Sequence, residues 1–223
     1  MAFDFKFDFN GVKKPVGEDT PAQTADTGKK RSHRRVSACE ALSLKYEYRR
    51  AWSEVQLLEA MKYAPLDKGR AYHFITGGDV DSVSFLKVIL NQKRRLDYLL
   101  MSSWVISAED ALQLRQWYEA GRIGKLDMYL GEIFPNQYKI EFGIVSAFYR
   151  DHPEAGRFAN FKNHCKVFAG CCEADDFYFG IQTSANANTN PRIEQASIVT
   201  EKKLFEFYKE FFDGINSFTK TEE

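Results

Sequence analysis

From Arg70 onward, short apolar runs alternate with longer runs in which apolar residues recur every three to four positions, and this alternation restricts the fold more than any other feature. Residues 72–76 read as a strand closed by Gly77 and Gly78. Asp81 is placed to cap a helix reaching about Arg94, with Phe85, Leu86, Ile89 and Leu90 on its apolar side. Residues 96–102 form an apolar strand. Ser107 and Asp110 open a helix carrying Ala111, Leu114, Trp117 and Tyr118 on one face. Residues 126–130 are a further strand and 139–149 a further helix. Strand-like segments follow at 158–169, 176–182 and 194–200, and an aromatic-rich helix covers 202–218. Strands separated by helices need crossover connections. The spacing therefore predicts an α/β fold: a mixed, mainly parallel sheet covered by helices on both faces, over residues 70–223. With no internal repeat, such a domain carries one copy of any site.

The upstream chain divides in two. Residues 1–35 read as a flexible tail. Phe3, Phe5, Phe7 and Phe9 alternate with Asp4, Lys6 and Asp8, the period of a strand with one apolar face that could add to a sheet edge. A Gly/Pro/Thr/Asp-rich linker over 10–28 leads to a basic run of Lys29, Lys30, Arg31, Arg34 and Arg35 around His33, which is either a solvated tail or a nucleic-acid contact. Residues 36–69 read as a helical segment. Ser37 and Glu40 have capping-box spacing, and Ala41, Leu44, Tyr48, Ala51, Val55 and Leu58 recur at alternating steps of three and four.

Composition removes some functions. With 31 basic and 31 acidic side chains the formal net charge is zero, so bulk charge cannot hold nucleic acid and any such contact needs a local patch. No run approaches the ~18 apolar residues of a membrane span, and the Phe/Asp alternation at the start is unlike a secretory leader. Cys39, Cys165, Cys171 and Cys172 fit no zinc or redox spacing. Reduced thiols in a cytoplasmic protein without cofactor or metal are the expectation.

Residues 163–194 carry the chemistry. His164 and Lys166, two apart on an expected strand, would share a face. Ser184 and Asn186 would likewise share one face of the turn after the next strand, and Glu194 follows. An imidazole, an ammonium, a hydroxyl and a carboxamide together suit a phosphate: Lys and Asn donate to non-bridging oxygens, and the imidazole can attack phosphorus or protonate a leaving oxygen. His33, His73 and His152 lack such company and read as structural.

The order H-x-K, then Thr183-Ser184-x-Asn186, then Glu194 resembles the signature of the phospholipase D superfamily, and the order of strands and helices over roughly residues 79–218 is similar to one repeat of that family. The resemblance implies a metal-independent phosphodiesterase, most simply a nuclease, working through a phosphohistidine at a site shared by two copies of the chain. It casts His164, Lys166, Asn186 and Glu194 as catalytic and Thr183 and Ser184 as substrate-binding. The pattern departs at Cys171, where the family usually has Asp, and at Thr183, where Gly is usual. Those departures leave room for an alternative, a catalytically impaired module that binds DNA or a protein partner.

Overall fold

The computed structural model describes residues 44–189 and 191–215. The Phe-rich tip, the basic run and the Ser37–Glu40 box lie outside the described residues. Eight strands form one sheet in the order β1-β2-β8-β7-β6-β3-β4-β5. They are β1 Lys45–Ala51, β2 Arg70–Thr76, β3 Tyr98–Ser103, β4 Leu126–Gly131, β5 Phe158–Phe161, β6 Val167–Cys172, β7 Phe177–Thr183 and β8 Glu194–Val199. The helices are α1 Glu54–Met61, α2 Ser82–Gln92, α3 Ala108–Glu119, α4 Phe134–Gln137, α5 Lys139–Asp151 and α6 Lys202–Asp213.

The sheet is mixed and has helices on both faces, as the alternation requires. It is not mainly parallel. The pairings β1–β2, β3–β4 and β4–β5 are parallel; β2–β8, β8–β7, β7–β6 and β6–β3 are antiparallel. The reason is local. No α-helix separates β6 from β7 or β7 from β8, and neighbouring strands joined without a crossover pair antiparallel. The β6–β7 turn is a short 3-10 segment, Glu173–Asp175, finished by Asp176 in the left-handed region at φ 47°.

Two further expectations change. The helix expected across residues 41–58 is instead strand β1 followed by the shorter α1, whose N-terminus is capped by the Ser53 side chain. Tyr46 and Tyr48 alternating with Glu47 and Arg49 also satisfy a period of two, and tyrosine suits a pleated surface. Parallel pairing with β2 decides in favour of the strand. The apolar seam dissolves with the helix: Tyr48 and Val55 are exposed, and β1 shares the sheet of the domain expected to begin at residue 70. The segment 158–169 is likewise not one strand, because the chain leaves β5 at the sheet edge and crosses over β4 and β3 to β6, three places inward.

The larger core lies on one face, where α1, α2, α3 and α5 pack Leu57, Phe85, Leu86, Leu114 and Phe148 against the sheet. Both expected caps hold. Asp81 accepts from Ser84 N while Ser84 Oγ accepts from Asp81 N, and Ser107 accepts from Asp110 N. On the other face α6 presents Phe205, Tyr208 and Phe212, a stripe at helical spacing, to Leu100, Tyr129, Phe161, Val167 and Ala169.

Candidate functional site

Strand polarity brings the candidate residues to one end of the sheet. The C-terminal ends of β1 to β5 lie there with the end of β7 and the starts of β6 and β8, and helices α2 and α3 begin there. In open α/β sheets this is the end where loops build sites.

His164 and Lys166 lie in the crossing segment before β6 rather than on a strand, so shared strand parity is not what unites them. A buried clamp fixes the segment. Asn163 donates from Nδ2 to Ser102 Oγ at 2.9 Å and to the Tyr129 carbonyl at 3.1 Å, and its Oδ1 accepts from Cys165 N at 3.0 Å. Ser102 Oγ in turn donates to the Cys165 carbonyl at 3.2 Å. His164 therefore sits between two anchored residues with its own side chain exposed. Lys166 Nζ lies 3.0 Å from His164 Nδ1, 3.4 Å from Nε2 and 2.9 Å from the His164 carbonyl. The Trp104 ring flanks the imidazole at 5.2 Å. Trp104 can lie there because residue 131 is glycine: a Cβ on Gly131 would come within 2.3 Å of Trp104 Cδ1.

The β7–β8 connection closes the other side. Thr183 N donates to the Lys166 carbonyl at 3.1 Å, and Thr183 Oγ1 accepts from Ala185 N at 3.0 Å. Thr183 does not occupy the left-handed region, so this turn has no need of the family's usual glycine. Ser184 Oγ donates to Glu194 Oε2 and accepts from Gln195 N at 3.0 Å. The Glu194 carboxylate thus engages Ser184 and not His164. Asn186 lies further along the loop, its carbonyl accepting from Ser82 N at 3.2 Å, and its buried Oδ1 has no hydrogen-bond partner. No contact joins its side chain to His164 or Lys166 among the described residues.

Electrostatics single out Lys166. Burial draws its pKa below the ordinary lysine value, opposed by the charges of Cys165 and Glu194. A half-buried ammonium with no carboxylate in salt-bridge contact is suited to an anion. Beneath the loop, Asp81 and Asp110 form a buried acidic pair at the starts of α2 and α3, and Thr189 Oγ1 donates to Asp81 Oδ2 at 3.2 Å. Burial first, then the Asp81 charge, pushes the Asp110 carboxyl up to about 7.

The geometry thus brings together His164, Lys166, Thr183, Ser184 and Glu194, with Asn186 in the same loop. Cys171, where the family usually has Asp, lies at the far end of β6 with its thiol pushed up to about 11, chiefly by burial. His152 faces Glu119 and Glu154 on the helical side, and His73 lies on the sheet face. No spacing in the sequence marks Trp104, Asn163 and Gly131, because their roles come from strands brought together by pairing. No cluster of three or more His, Cys, Asp or Glu suited to a metal occurs among the described residues.

No family model matches the chain, and no curated protein matches it. Among solved structures the fold is similar to the polyphosphate kinase from Porphyromonas gingivalis, with a TM-score of 0.46 and 10% identity over 70% of this chain. The match takes in 26% of that protein's chain.

Proposed function

We propose that the protein is a metal-independent phosphodiesterase of phospholipase D type, acting on nucleic acid, with His164 as nucleophile. The observation that carries this reading is the Lys166 ammonium held 3.0 Å from His164 Nδ1, beside Ser184 and Glu194, at the end of the sheet where loops converge. In this arrangement Lys166 rests against the imidazole. A phosphate arriving between Lys166 and Ser184 takes the ammonium and leaves a ring nitrogen free to attack phosphorus. The phosphorus–oxygen bond to the leaving group breaks as the new phosphorus–nitrogen bond forms, and a second histidine protonates the leaving oxygen. Water then attacks the phosphohistidine, its proton passing to that second imidazole, and His164 is restored. Lys166 and Asn186 stabilise the charge on the non-bridging oxygens.

The second histidine comes from another copy of the chain. His73 and His152 lie away from the site, and His33 lies outside the described residues. A two-fold dimer placing two His164 side chains across one phosphate completes the chemistry. Light scattering should then report about twice 25.7 kDa. Mixing His164→Ala chains into wild type should lower activity by more than dilution.

One observation favours a second reading, a binding module without turnover: Glu194 is engaged by Ser184 instead of orienting His164. Incubating the protein with DNA, RNA and a chromogenic phosphodiester in chelator, beside His164→Ala, separates the two. Turnover lost in the variant supports the enzyme. Phosphate binding without turnover in wild type supports the module.

A further inference from the structure

On the α6 side of the sheet, the helix stops covering the strands at Gln182, whose amide donates to the Tyr208 hydroxyl. Beyond it the face is open among the described residues across β8, β2 and β1. Pairing arranges this surface in two rows. Gln182, Ser197, His73 and Tyr48 lie opposite one another in one; Gln195, Ile75 and Arg50 in the next. The rings of Tyr46 and Tyr48 each stack on His73, with centroids 5.6 and 5.5 Å away and planes 13° and 23° apart. Tyr48 is 80%, Tyr46 54% and Ile75 44% exposed. A folded domain gains little by leaving parallel rings in water, and Arg50 forms no ion pair among the described residues.

This surface joins the proposed active site. A groove of about 780 Å³ runs over it from Tyr48, Arg49 and Arg50 to Thr183, whose amide holds the Lys166 carbonyl. Four strand spacings separate β1 from β6, roughly 19 Å at ~4.8 Å each. At about 3.4 Å per stacked nucleotide that is room for a few nucleotides between the tyrosines and His164.

We propose that this open face is a stacking platform for single-stranded nucleic acid, which delivers a phosphodiester to His164; the delivery step rests on the function proposed above. Exposed parallel rings fit unstacked bases, whose faces a duplex hides. Gln182 and Gln195 offer amides to base edges, and Arg50 offers charge to the backbone. That combination supplies the local patch that a chain of zero net charge needs. A membrane or a purely apolar protein partner fits less well, because Ile75 is the one aliphatic side chain in the two rows.

The test is fluorescence anisotropy of full-length His164→Ala protein, which separates binding from cleavage. The probes are labelled oligothymidylate of about 12 nucleotides, an abasic strand of equal length and a duplex. The base-bearing single strand should bind tightest. Adding Tyr48→Ala should weaken it about 10-fold, leave the abasic strand unaffected, and be rescued by Tyr48→Phe. Equal affinity for abasic and base-bearing strands, or no loss in Tyr48→Ala, overturns the platform. So does a Tyr46→Ala/Tyr48→Ala chain that changes oligomeric state in light scattering, since the face would then be a contact between copies. Oligothymidylate cleavage by wild type in chelator is scored separately. Tyr48-dependent binding without cleavage keeps the platform and removes the nuclease; cleavage with Tyr48-independent binding does the reverse.

Discussion

The two ends of the sheet treat their polar groups differently. At the end opposite His164, Tyr98 Oη donates to Asp127 Oδ2 at 2.7 Å, and Asp127 Oδ1 accepts from Arg157 N at 2.7 Å. Arg157 also reaches the last carbonyls of α6 and that of Ile215, and Asp97 accepts from Glu173 N at 2.8 Å. Burial and the Asp127 carboxylate raise the Tyr98 hydroxyl far above its ordinary range, so it remains a donor at any physiological pH. Glu201 Oε2 and the Tyr129 hydroxyl beside Arg157 are unpaired exceptions at this end. At the His164 end, Thr76 Oγ1, Ser82 Oγ and Asn186 Oδ1 are buried without partners, and Lys166 rests on an imidazole instead of a carboxylate. One end uses its polar groups to fasten elements together. The other also fastens its loops, through Asn163 and Ser184, but leaves Lys166 without a carboxylate partner.

That contrast can be broken in order of expected effect. The largest concerns His164: replacement by Ala or Asn should abolish phosphodiester turnover while leaving the melting temperature unchanged, because the side chain is exposed. Full activity in a His164→Ala preparation free of contaminating nucleases would sink the assignment. Lys166→Ala should follow, slowing turnover by about 10²–10³ as for a preorganised donor. At the opposite end the outcome should invert. Asp127→Ala strands the Tyr98 hydroxyl and the Arg157 amide, costing roughly 2–4 kcal/mol in urea unfolding. Turnover by the fraction that stays folded should survive. An Asp127→Ala protein that is folded but inactive would show that the two ends are not separable.

A smaller effect concerns pH. The Asp110 carboxyl, raised from 3.8 to about 7, holds its proton in the folded state after the unfolded chain has lost it. The folded state binds the extra proton through that window, so this group's contribution makes stability fall as pH climbs from about 3.8 to about 7, and level off above. In Asp110→Asn that fall should flatten, as measured by urea unfolding at a series of pH values. An unchanged slope would assign it to other groups. The smallest expected effect is none: a metal-independent mechanism keeps its rate in chelator. A strict Mg²⁺ or Mn²⁺ requirement would point to different chemistry at the His164 end.

Much of the scaffold was legible where local rules and tertiary context agree. Asp81 and Ser107 cap their helices because a short acceptor before an apolar-periodic run has one good use. Residues 126–130 and 139–149 are legible from their periods alone, a short apolar run for the strand and an apolar stripe at helical spacing for the helix. The errors came where one pattern satisfies two periods. Tyr46 to Ala51 suits both a heptad seam and an alternating strand, and only the β2 edge chooses between them. The direction of the central strands departs from the mainly parallel expectation because the β6–β7 and β7–β8 connections hold no helical crossover.

The sequence by itself determined which residue types make up the candidate site: a histidine and a lysine two apart, with Ser184, Asn186 and Glu194 behind them. Tertiary structure decided how they meet. His164 and Lys166 come together through a crossing segment held by Asn163 on Ser102 and Tyr129, residues 61 and 34 positions away. It also decided that Trp104 flanks the imidazole, that Glu194 serves Ser184, and that Tyr48 lies on an open face joined to the site. The physical reason is that spacing encodes only neighbours within a few residues. Strand pairing and crossover direction set which distant residues share an end of the sheet, and the free energy of the whole core fixes those.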